Sequence, residues 1–322
     1  MSSERRLVLV TSQLFDQDDA ESAGLLRRHR LEIRLAPKLG PRTPQELASL
    51  LQGASAAIVS TDPFDRSVFQ AAPELRVVAR LGVGFDTIDL DAATEAGVVV
   101  TTTRGALEGT VADHTIALML GLLRRTAQND ASMRRGEWAR GAVLSGWDLH
   151  GSTVGLVGYG TIGRIIARRL SGFDTEILVS DPFVQPEPGI QLVALEELLR
   201  RAQVVSLHAP LTAATRGMIG AAELRLMRPD AILLNLARGG IVDEDSLEEA
   251  LIAGRIRGAA LDVFEREPPD LTRTLFQLPN VLLSPHVAGF SEASIRNMLR
   301  QASRSVVAVL SGQRPEHVVN PG

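Results

Sequence analysis

The feature that most constrains this fold is a glycine turn set between an apolar strand pattern and a helix pattern. Within residues 154–163, Gly158, Gly160 and Gly163 have the spacing G-x-G-x-x-G, and a helical pattern continues over residues 164–170. The first glycine permits a tight turn, the second lets a pyrophosphate approach the main chain, and the third allows close helix–strand packing. A helix N-terminus can also hold a phosphate. This context favours a bound dinucleotide over a simple glycine-rich turn.

A second short apolar run, residues 177–180, ends in Asp181. A carboxylate at this place accepts hydrogen bonds from the adenosine ribose and repels a 2′-phosphate. Residues 182–185 contain no arginine that would bind such a phosphate. The sequence therefore predicts NAD as the cofactor in preference to NADP.

Composition excludes several classes of protein. The chain has 322 residues, 45% of them hydrophobic, which is enough for two domains with sizeable cores. A formal net charge of -4 gives no general attraction to nucleic acid or to anionic membranes. The absence of cysteine excludes disulfides and a thiol nucleophile. The apolar stretch 115–123 is too short to span a membrane, so we expect a cytoplasmic protein, and no metal site is predicted.

Short β-rich runs alternate with helical patterns, which is typical of parallel sheets with crossover helices. The predicted strands are 7–10, 31–35, 57–60 and 77–79, followed by 153–157, 177–180, 204–208, 231–236, 259–262 and 281–284. Helices are predicted over 43–51, 108–135 and 291–310. We therefore predict an α/β protein of two doubly wound, Rossmann-like parallel-sheet domains with a cleft between them. The substrate domain would comprise residues 1–102 and 289–322, and the NAD-binding domain residues 103–288.

Three polar residues follow predicted strands of the nucleotide domain, where open α/β sheets bind ligands. Arg238 has the geometry to grip a carboxylate and polarise a carbonyl. His286 is a candidate proton donor, and Glu267 would orient its ring and favour the charged form. Taken singly, each has a plain alternative: a surface ion pair, a turn residue and a satisfied loop histidine. Together with the glycine turn they favour a catalytic site for hydride transfer.

These segments resemble the D-isomer-specific 2-hydroxyacid dehydrogenase family, and the similarity extends over nearly the whole chain. It is carried by the runs Arg80–Asp89, Thr110–His114 and His208–Thr212, by the glycine turn, and by the segments around Arg238, Glu267 and His286. The resemblance implies that Arg238, Glu267 and His286 form the catalytic set. It also implies a homodimer joined through the NAD domains over residues 108–147.

The resemblance further implies which residues bind the cofactor and substrate. Backbone amides at Val83 and Gly84 would hold the substrate carboxylate, with Arg80 nearby. The expected cofactor-binding residues are Gly158, Tyr159, Gly160, Thr161, Ile162, Gly163, Asp181, His208, Ala209, Pro210, Leu236, Ala237 and Asp262.

The chain departs from the family pattern in two places. Thr102-Thr103-Arg104 stands where many relatives have Asn-x-Pro, and Asp113 stands where they have Glu. Arg104 is either an additional substrate-binding cation, for a phosphate or distal carboxylate, or a solvated hinge residue. Asp113 is expected to be structural. Because the sequence stops at Gly322, we expect no C-terminal regulatory domain of the kind found in some phosphoglycerate dehydrogenases.

The predicted function is an NAD-dependent oxidoreductase that interconverts a small D-2-hydroxy acid and its 2-oxo acid. Within the enzyme class, phosphite oxidation is an alternative, whereas Glu267 argues against formate oxidation because the formate enzymes of this superfamily pair the histidine with glutamine. From another class, an NAD-sensing interaction protein similar to the C-terminal-binding-protein corepressors remains an alternative. The expected partner is a small anionic acid, with no nucleic acid or membrane.

Overall fold

The computed structural model describes residues 6–38, 42–138, 140 and 145–320. The strands are β1 (Arg6–Val10), β2 (Leu31–Leu35), β3 (Ala54–Val59), β4 (Val77–Arg80), β5 (Val99–Thr101), β6 (Thr153–Val157), β7 (Glu176–Ser180), β8 (Gln191–Leu192), β9 (Val204–Leu207), β10 (Ile232–Asn235), β11 (Gly258–Leu261) and β12 (Val281–Leu283). The helices are α1 (Ala23–Arg28), α2 (Pro44–Leu50), α3 (Arg66–Ala71), α4 (Leu90–Glu95), α5 (Glu108–Leu123), α6 (Thr126–Arg134), α7 (Thr161–Leu170), α8 (Leu195–Arg201), α9 (Ala221–Leu226), α10 (Glu244–Ile252) and α11 (Glu292–Leu310). Short 3₁₀ segments cover Ser171–Phe173 and Thr274–Gln277.

The chain divides into two compact units, Met1–Leu107 with Phe290–Gly322, and Glu108–Gly289. The first unit has a parallel sheet of order β2-β1-β3-β4-β5. The second has a parallel sheet of order β12-β11-β10-β9-β6-β7-β8. The predicted α/β class with two doubly wound parallel sheets is confirmed. In the second sheet the direction of winding reverses between β6 and β9, which is where such sheets bind nucleotides.

The central strands of the second sheet are buried on both faces, which explains their near-continuous apolar sequences. All four residues of β9, β10 and β11 are buried. Short β5 and β8 were not predicted, since β8 has only two residues and neither carries a long pattern. In the described part of the chain, none of the helices has the length and apolar character needed to cross a bilayer.

The single long helix predicted over 108–135 is wrong: the segment forms α5 and α6, separated at Arg125. Arg125 adopts a left-handed conformation with φ +51°. The carbonyl of Leu123 accepts a hydrogen bond from the backbone N–H of Trp147 at 2.9 Å, a group from outside the helix. A tertiary contact therefore occupies the end of α5, and the helical pattern resumes only after the turn.

Candidate active site

The glycine turn between β6 and α7 has the geometry that a dinucleotide requires. Gly158 has φ +93°, and a Cβ there would lie 2.7 Å from the backbone of His208 and Ala209. A Cβ at Gly163 would lie 2.6 Å from the carbonyl oxygen of Gly158. In contrast, a Cβ at Gly160 would have no atom within 4 Å, so this side of the turn is open. The turn is thus tightly packed on the protein side and open where a pyrophosphate would approach the N-terminus of α7.

Asp181 lies directly after β7 and is tied to the glycine turn. One carboxylate oxygen accepts the backbone N–H of Tyr159 at 2.8 Å, and the other accepts that of Phe183 at 2.9 Å. Each carboxylate oxygen has a second lone-pair site, so further hydrogen bonds to a ribose are compatible with these contacts. The residues present therefore fit the adenosine half of a dinucleotide.

The segment after β9 closes the other side of the turn. The backbone N–H of His208 donates to the carbonyl of Val157 at 2.7 Å, and its Nε2 lies 2.9 Å from the hydroxyl of Ser206. Burial lowers the pKa of His208 to about 4, so its ring is neutral at pH 7. His208 therefore brings no charge to the side of the turn where the dinucleotide would bind. Ala209, which follows it, is partly exposed, and Pro210 is exposed.

Three neighbouring strands bring the predicted catalytic residues to one edge of the sheet. In the parallel register, Asn235 of β10 pairs with Leu261 of β11, which pairs with Leu283 of β12. The loops that begin after these three residues therefore start side by side. They carry Arg238, Glu267 and His286 respectively.

The loop after β10 is shaped by the buried side chain of Asn235. Its amide donates to the carbonyl of Arg238 at 2.9 Å and accepts from the N–H of Ala237 at 3.2 Å. A Cβ at Gly239 would overlap the carbonyl of Phe264, so this loop packs directly on the main chain that follows β11. Leu236 is buried and Ala237 is partly exposed, which leaves Ala237 at the surface of the edge.

Glu267 and His286 form a hydrogen bond, with 2.7 Å between the carboxylate Oε2 and the ring Nδ1. The other carboxylate oxygen accepts the N–H of Phe264 at 3.1 Å. Burial raises the pKa of Glu267, but hydrogen bonding and the charge of His286, with a contribution from Arg238, bring it below its ordinary value. Glu267 is therefore ionised at neutral pH and accepts a proton-bearing Nδ1. This leaves Nε2 as the ring atom for exchange of a proton with a ligand.

His286 has an unusual backbone, with φ +55°. Left-handed conformations cost free energy in residues other than glycine, so the surrounding contacts must hold this one. The backbone N–H of His286 donates to the carbonyl of Asp262 at 2.7 Å. The Asp262 carboxylate accepts the N–H groups of Val287 and Ala288, each at 2.9 Å, and the hydroxyl of Ser284 at 2.6 Å. Asp262, which is fully buried, thus holds the loop that presents His286.

The sequence alone did not predict two members of this network, Ser284 and His114. Nε2 of His114, on α5, lies 3.1 Å from the hydroxyl of Ser284. Because that hydroxyl donates its proton to Asp262, it accepts from His114. His114 belongs to a run that the family resemblance had singled out, but only the fold shows which group it contacts.

The predicted substrate residues all belong to the other unit. Arg80 ends β4 and donates to the carbonyl of Leu81 at 2.6 Å, while Val83 and Gly84 are partly exposed on the following loop. Arg104 is exposed in the turn after β5. Their roles toward substrate stay predictions.

The loop that contains Val83 and Gly84 is fixed by Thr103. The N–H of Gly82 donates to the Thr103 hydroxyl at 2.7 Å, and the N–H of Thr103 donates back to the Gly82 carbonyl at 3.0 Å. Gly82 has φ +131°, which a side chain would not permit.

Asp113 makes an ion pair with Arg169 of α7 at 3.0 Å. Across the ranges that the structure describes, no three or more His, Asp or Glu side chains converge in a way that would hold a metal ion.

Comparison with known proteins gives consistent similarities. A family model described as "D-isomer specific 2-hydroxyacid dehydrogenase, NAD binding domain" matches residues 116–288. A glyoxylate reductase of Korarchaeum cryptofilum is 42% identical over 273 residues, which cover 82% of this chain and 82% of that protein. A D-3-phosphoglycerate dehydrogenase of Methanocaldococcus jannaschii is 40% identical over 295 residues, covering 90% of this chain and 55% of that protein.

Among solved structures, the TT0316 protein from Thermus thermophilus is similar over 97% of this chain and 99% of its own, with a TM-score of 0.91 and 38% identity. This structural similarity therefore covers both units, whereas the family model matches residues 116–288 of the second unit alone.

Proposed function

Because the chain belongs to the D-isomer-specific 2-hydroxyacid dehydrogenase family, we propose that Arg238, Glu267 and His286 are its catalytic residues and that its substrate is a small 2-oxo acid or D-2-hydroxy acid. The enzyme is an NAD-dependent D-2-hydroxyacid dehydrogenase. The observation that carries it is the 2.7 Å pair between Glu267 and His286, which follow β11 and β12, on the same edge of the sheet as the loop after β10 that carries Arg238.

The glycine turn, Asp181 and the segment after β9 would hold NAD. When bound, the cofactor donates the hydride in reduction and accepts it in oxidation. In the direction of reduction, the Arg238 guanidinium binds the substrate carboxylate and polarises the neighbouring carbonyl. As the carbonyl carbon gains a hydride, Nε2 of His286 donates a proton to the developing alkoxide. The Glu267 carboxylate keeps Nδ1 protonated and stabilises the imidazolium before transfer. In the direction of oxidation, the neutral imidazole of His286 accepts the proton of the substrate hydroxyl at Nε2.

The reaction is tested by NADH oxidation with a panel of 2-oxo acids, starting with glyoxylate, hydroxypyruvate, pyruvate and 3-phosphohydroxypyruvate. We expect turnover with at least one acid, and loss of about 100-fold or more in kcat for His286→Ala. Arg238→Ala should raise KM and lower kcat together, since the guanidinium binds the ground state and the transition state. NADH binding should persist in both variants.

Matched controls are available in the same unit. Arg228→Ala removes an exposed arginine paired with Asp230 at 2.8 Å, and His150→Ala removes an exposed histidine paired with Asp174 at 3.4 Å. Both should keep full activity. Undiminished turnover in Arg238→Ala and His286→Ala would contradict the assignment. Oxidation of phosphite with NAD, without activity on any 2-oxo acid, would replace the proposed substrate class.

Glu267→Gln separates orientation from charge. The amide keeps the size of the side chain but removes the carboxylate charge from the 2.7 Å contact with His286. We expect unchanged NADH binding and a shifted pH profile of kcat, because the imidazolium loses its counter-charge. An unchanged profile would remove Glu267 from the proposed mechanism.

We also propose that the enzyme is a homodimer joined through its NAD-binding unit. The expected interface, residues 108–147, includes residues 139 and 141–144, which lie outside the described residues. Within the described part, Met133 is 54% exposed and Trp138 is 74% exposed. An interface over this range would cover both side chains. Light scattering should give twice the 34.6 kDa chain mass, and a monomer would contradict the proposal.

A further inference from the structure

An arginine lies beside the glycine turn where the dinucleotide would bind, although residues 182–185, which follow Asp181, contain none. It is Arg164, on the first turn of α7. Its guanidinium is held by Glu187 through a salt bridge between Nη1 and Oε2. The guanidinium carbon also lies 4.6 Å from the centre of the Tyr159 ring, which is a cation–π distance.

Tyr159 connects this ion pair to the predicted ribose carboxylate. Its backbone N–H donates to Asp181 at 2.8 Å, and its ring lies against the Arg164 guanidinium that pairs with Glu187. Its ring is buried, with 4% of the residue exposed. Burial together with the negative charge of Glu187 raises the pKa of Tyr159 to about 12, so its hydroxyl stays protonated at neutral pH. One rigid residue thus joins Asp181, Arg164 and Glu187 in a single cluster.

The chemistry of this cluster bears on which dinucleotide binds. A 2′-phosphate on the adenosine ribose is bound by an arginine near the end of the second strand, whereas a free ribose hydroxyl is bound by an acid. The cluster contains both kinds of residue. However, Glu187 neutralises the charge of Arg164 and engages one nitrogen of its guanidinium. A 2′-phosphate would have to compete with Glu187 for the arginine.

We propose that Glu187 is a specificity-determining residue that excludes NADP by holding Arg164 away from the ribose 2′ position. The inference rests on the proposed placement of the adenosine ribose at Asp181. It is independent of the substrate and of the catalytic set, because it concerns only nucleotide affinity. Asp181 then opposes the 2′-phosphate directly, and Glu187 opposes it by removing the cation that would bind it.

The test is the dissociation constant of NADPH and of NADH for the intact protein, measured by nucleotide fluorescence without substrate. Glu187→Gln keeps the side-chain size and removes the charge that holds Arg164. We expect its NADPH dissociation constant to fall about fivefold or more, since a guanidinium–phosphate contact is a strong charge-assisted hydrogen bond. Its NADH dissociation constant should stay within about twofold of the wild-type value, a spread that corresponds to less than one ordinary hydrogen bond.

Two further variants identify the cause. Glu187→Gln combined with Arg164→Gln should lose the gain for NADPH, because the gain comes from the arginine. Glu176→Gln breaks a comparable exposed ion pair, with Arg201 at 2.6 Å, at the opposite end of β7, and should change neither affinity.

The outcomes separate the possibilities. If Glu187→Gln leaves NADPH affinity unchanged, or weakens both nucleotides equally, the proposal is overturned. If the double variant keeps the gain for NADPH, Arg164 is not the phosphate ligand and the proposal is again overturned. The placement of the ribose has its own test, since Asp181→Ser should weaken NADH binding. Unchanged NADH binding in that variant would reject the placement while leaving the substrate and catalytic assignments intact.

Discussion

Replacement of Asp262 with asparagine exchanges one buried carboxylate oxygen for an NH₂ group and changes almost nothing in size. In the structure, one oxygen accepts from the Ser284 hydroxyl at 2.6 Å and from the Val287 N–H at 2.9 Å, and the other accepts from the Ala288 N–H at 2.9 Å. Asp262 and Ala288 are both buried, so water cannot replace a lost partner there. The substitution therefore tests what holds the loop of His286.

The cost follows from the donors that asparagine leaves unmatched. Whichever way the amide turns, its NH₂ faces at least one backbone N–H, which then lacks an acceptor, and either the NH₂ or the Ser284 hydroxyl is left without a partner as well. A buried unsatisfied group costs about 1–3 kcal/mol, and two such groups cost about 2–4 kcal/mol after partial relaxation. For a unit of this size, that loss corresponds to a Tm lower by about 5–15 °C. The φ +55° of His286 is then less well held, and a displacement of the ring of about 1 Å would lower kcat on the order of 100-fold.

The assay combines thermal unfolding followed by circular dichroism with NADH binding and turnover. Asp65→Asn is the matched control, because Asp65 is an exposed helix N-cap of α3, a position at which aspartate and asparagine are nearly equivalent. It should leave Tm and kcat unchanged. If Asp262→Asn lowers Tm no more than Asp65→Asn does and weakens only NADH binding, the loop-holding argument is refuted. Asp262 would then act on the cofactor alone, as the family resemblance implies.

Three further results are expected. The pKa of His208 is about 4 in the folded protein, so between pH 6.5 and 4 His208 binds a proton in the unfolded chain but not in the folded one. The free energy of unfolding should therefore fall by about 2 kcal/mol from pH 7 to pH 5. In His208→Gln the midpoint of urea unfolding should depend less steeply on pH. Gly239→Ala should lower both Tm and kcat, since its Cβ would overlap the main chain after β11, whereas Gly172→Ala, with no atom within 4 Å of the added Cβ, should not. Thr103→Val removes the hydroxyl that accepts the N–H of Gly82 in the predicted substrate loop, so KM for the 2-oxo acid should rise several-fold while NADH affinity stays constant. Thr103→Ser keeps the hydroxyl and should keep the wild-type KM. An equal KM in both variants would exclude this hydrogen bond as the cause.

Much of the proposed catalytic site follows from local sequence. The glycine spacing at 158, 160 and 163 is a conformational requirement of one short turn, and Asp181 comes directly after an apolar strand pattern. Because parallel strands place their carboxyl ends at one edge, polar residues that follow such strands are expected to lie together. The sequence therefore predicts that Arg238, Glu267 and His286 lie at one edge of the sheet. The 2.7 Å contact of the last two is the result of β11 and β12 being neighbours, which the sequence left open.

Other features depend on partners that are distant in the chain. The break at Arg125 is fixed by the N–H of Trp147 on the end of α5, and helix propensity within 108–135 gives no sign of it. Asp262 meets hydrogen-bond donors 22 to 26 residues further on, and Arg164 meets Glu187 23 residues away. The fold class, the glycine turn and the polar residues after the strands depend on short-range periodicity and backbone conformation, so they could be predicted from the chain alone. Which charges are paired and which loops are held could not be predicted, because such contacts exist only when separate segments pack together.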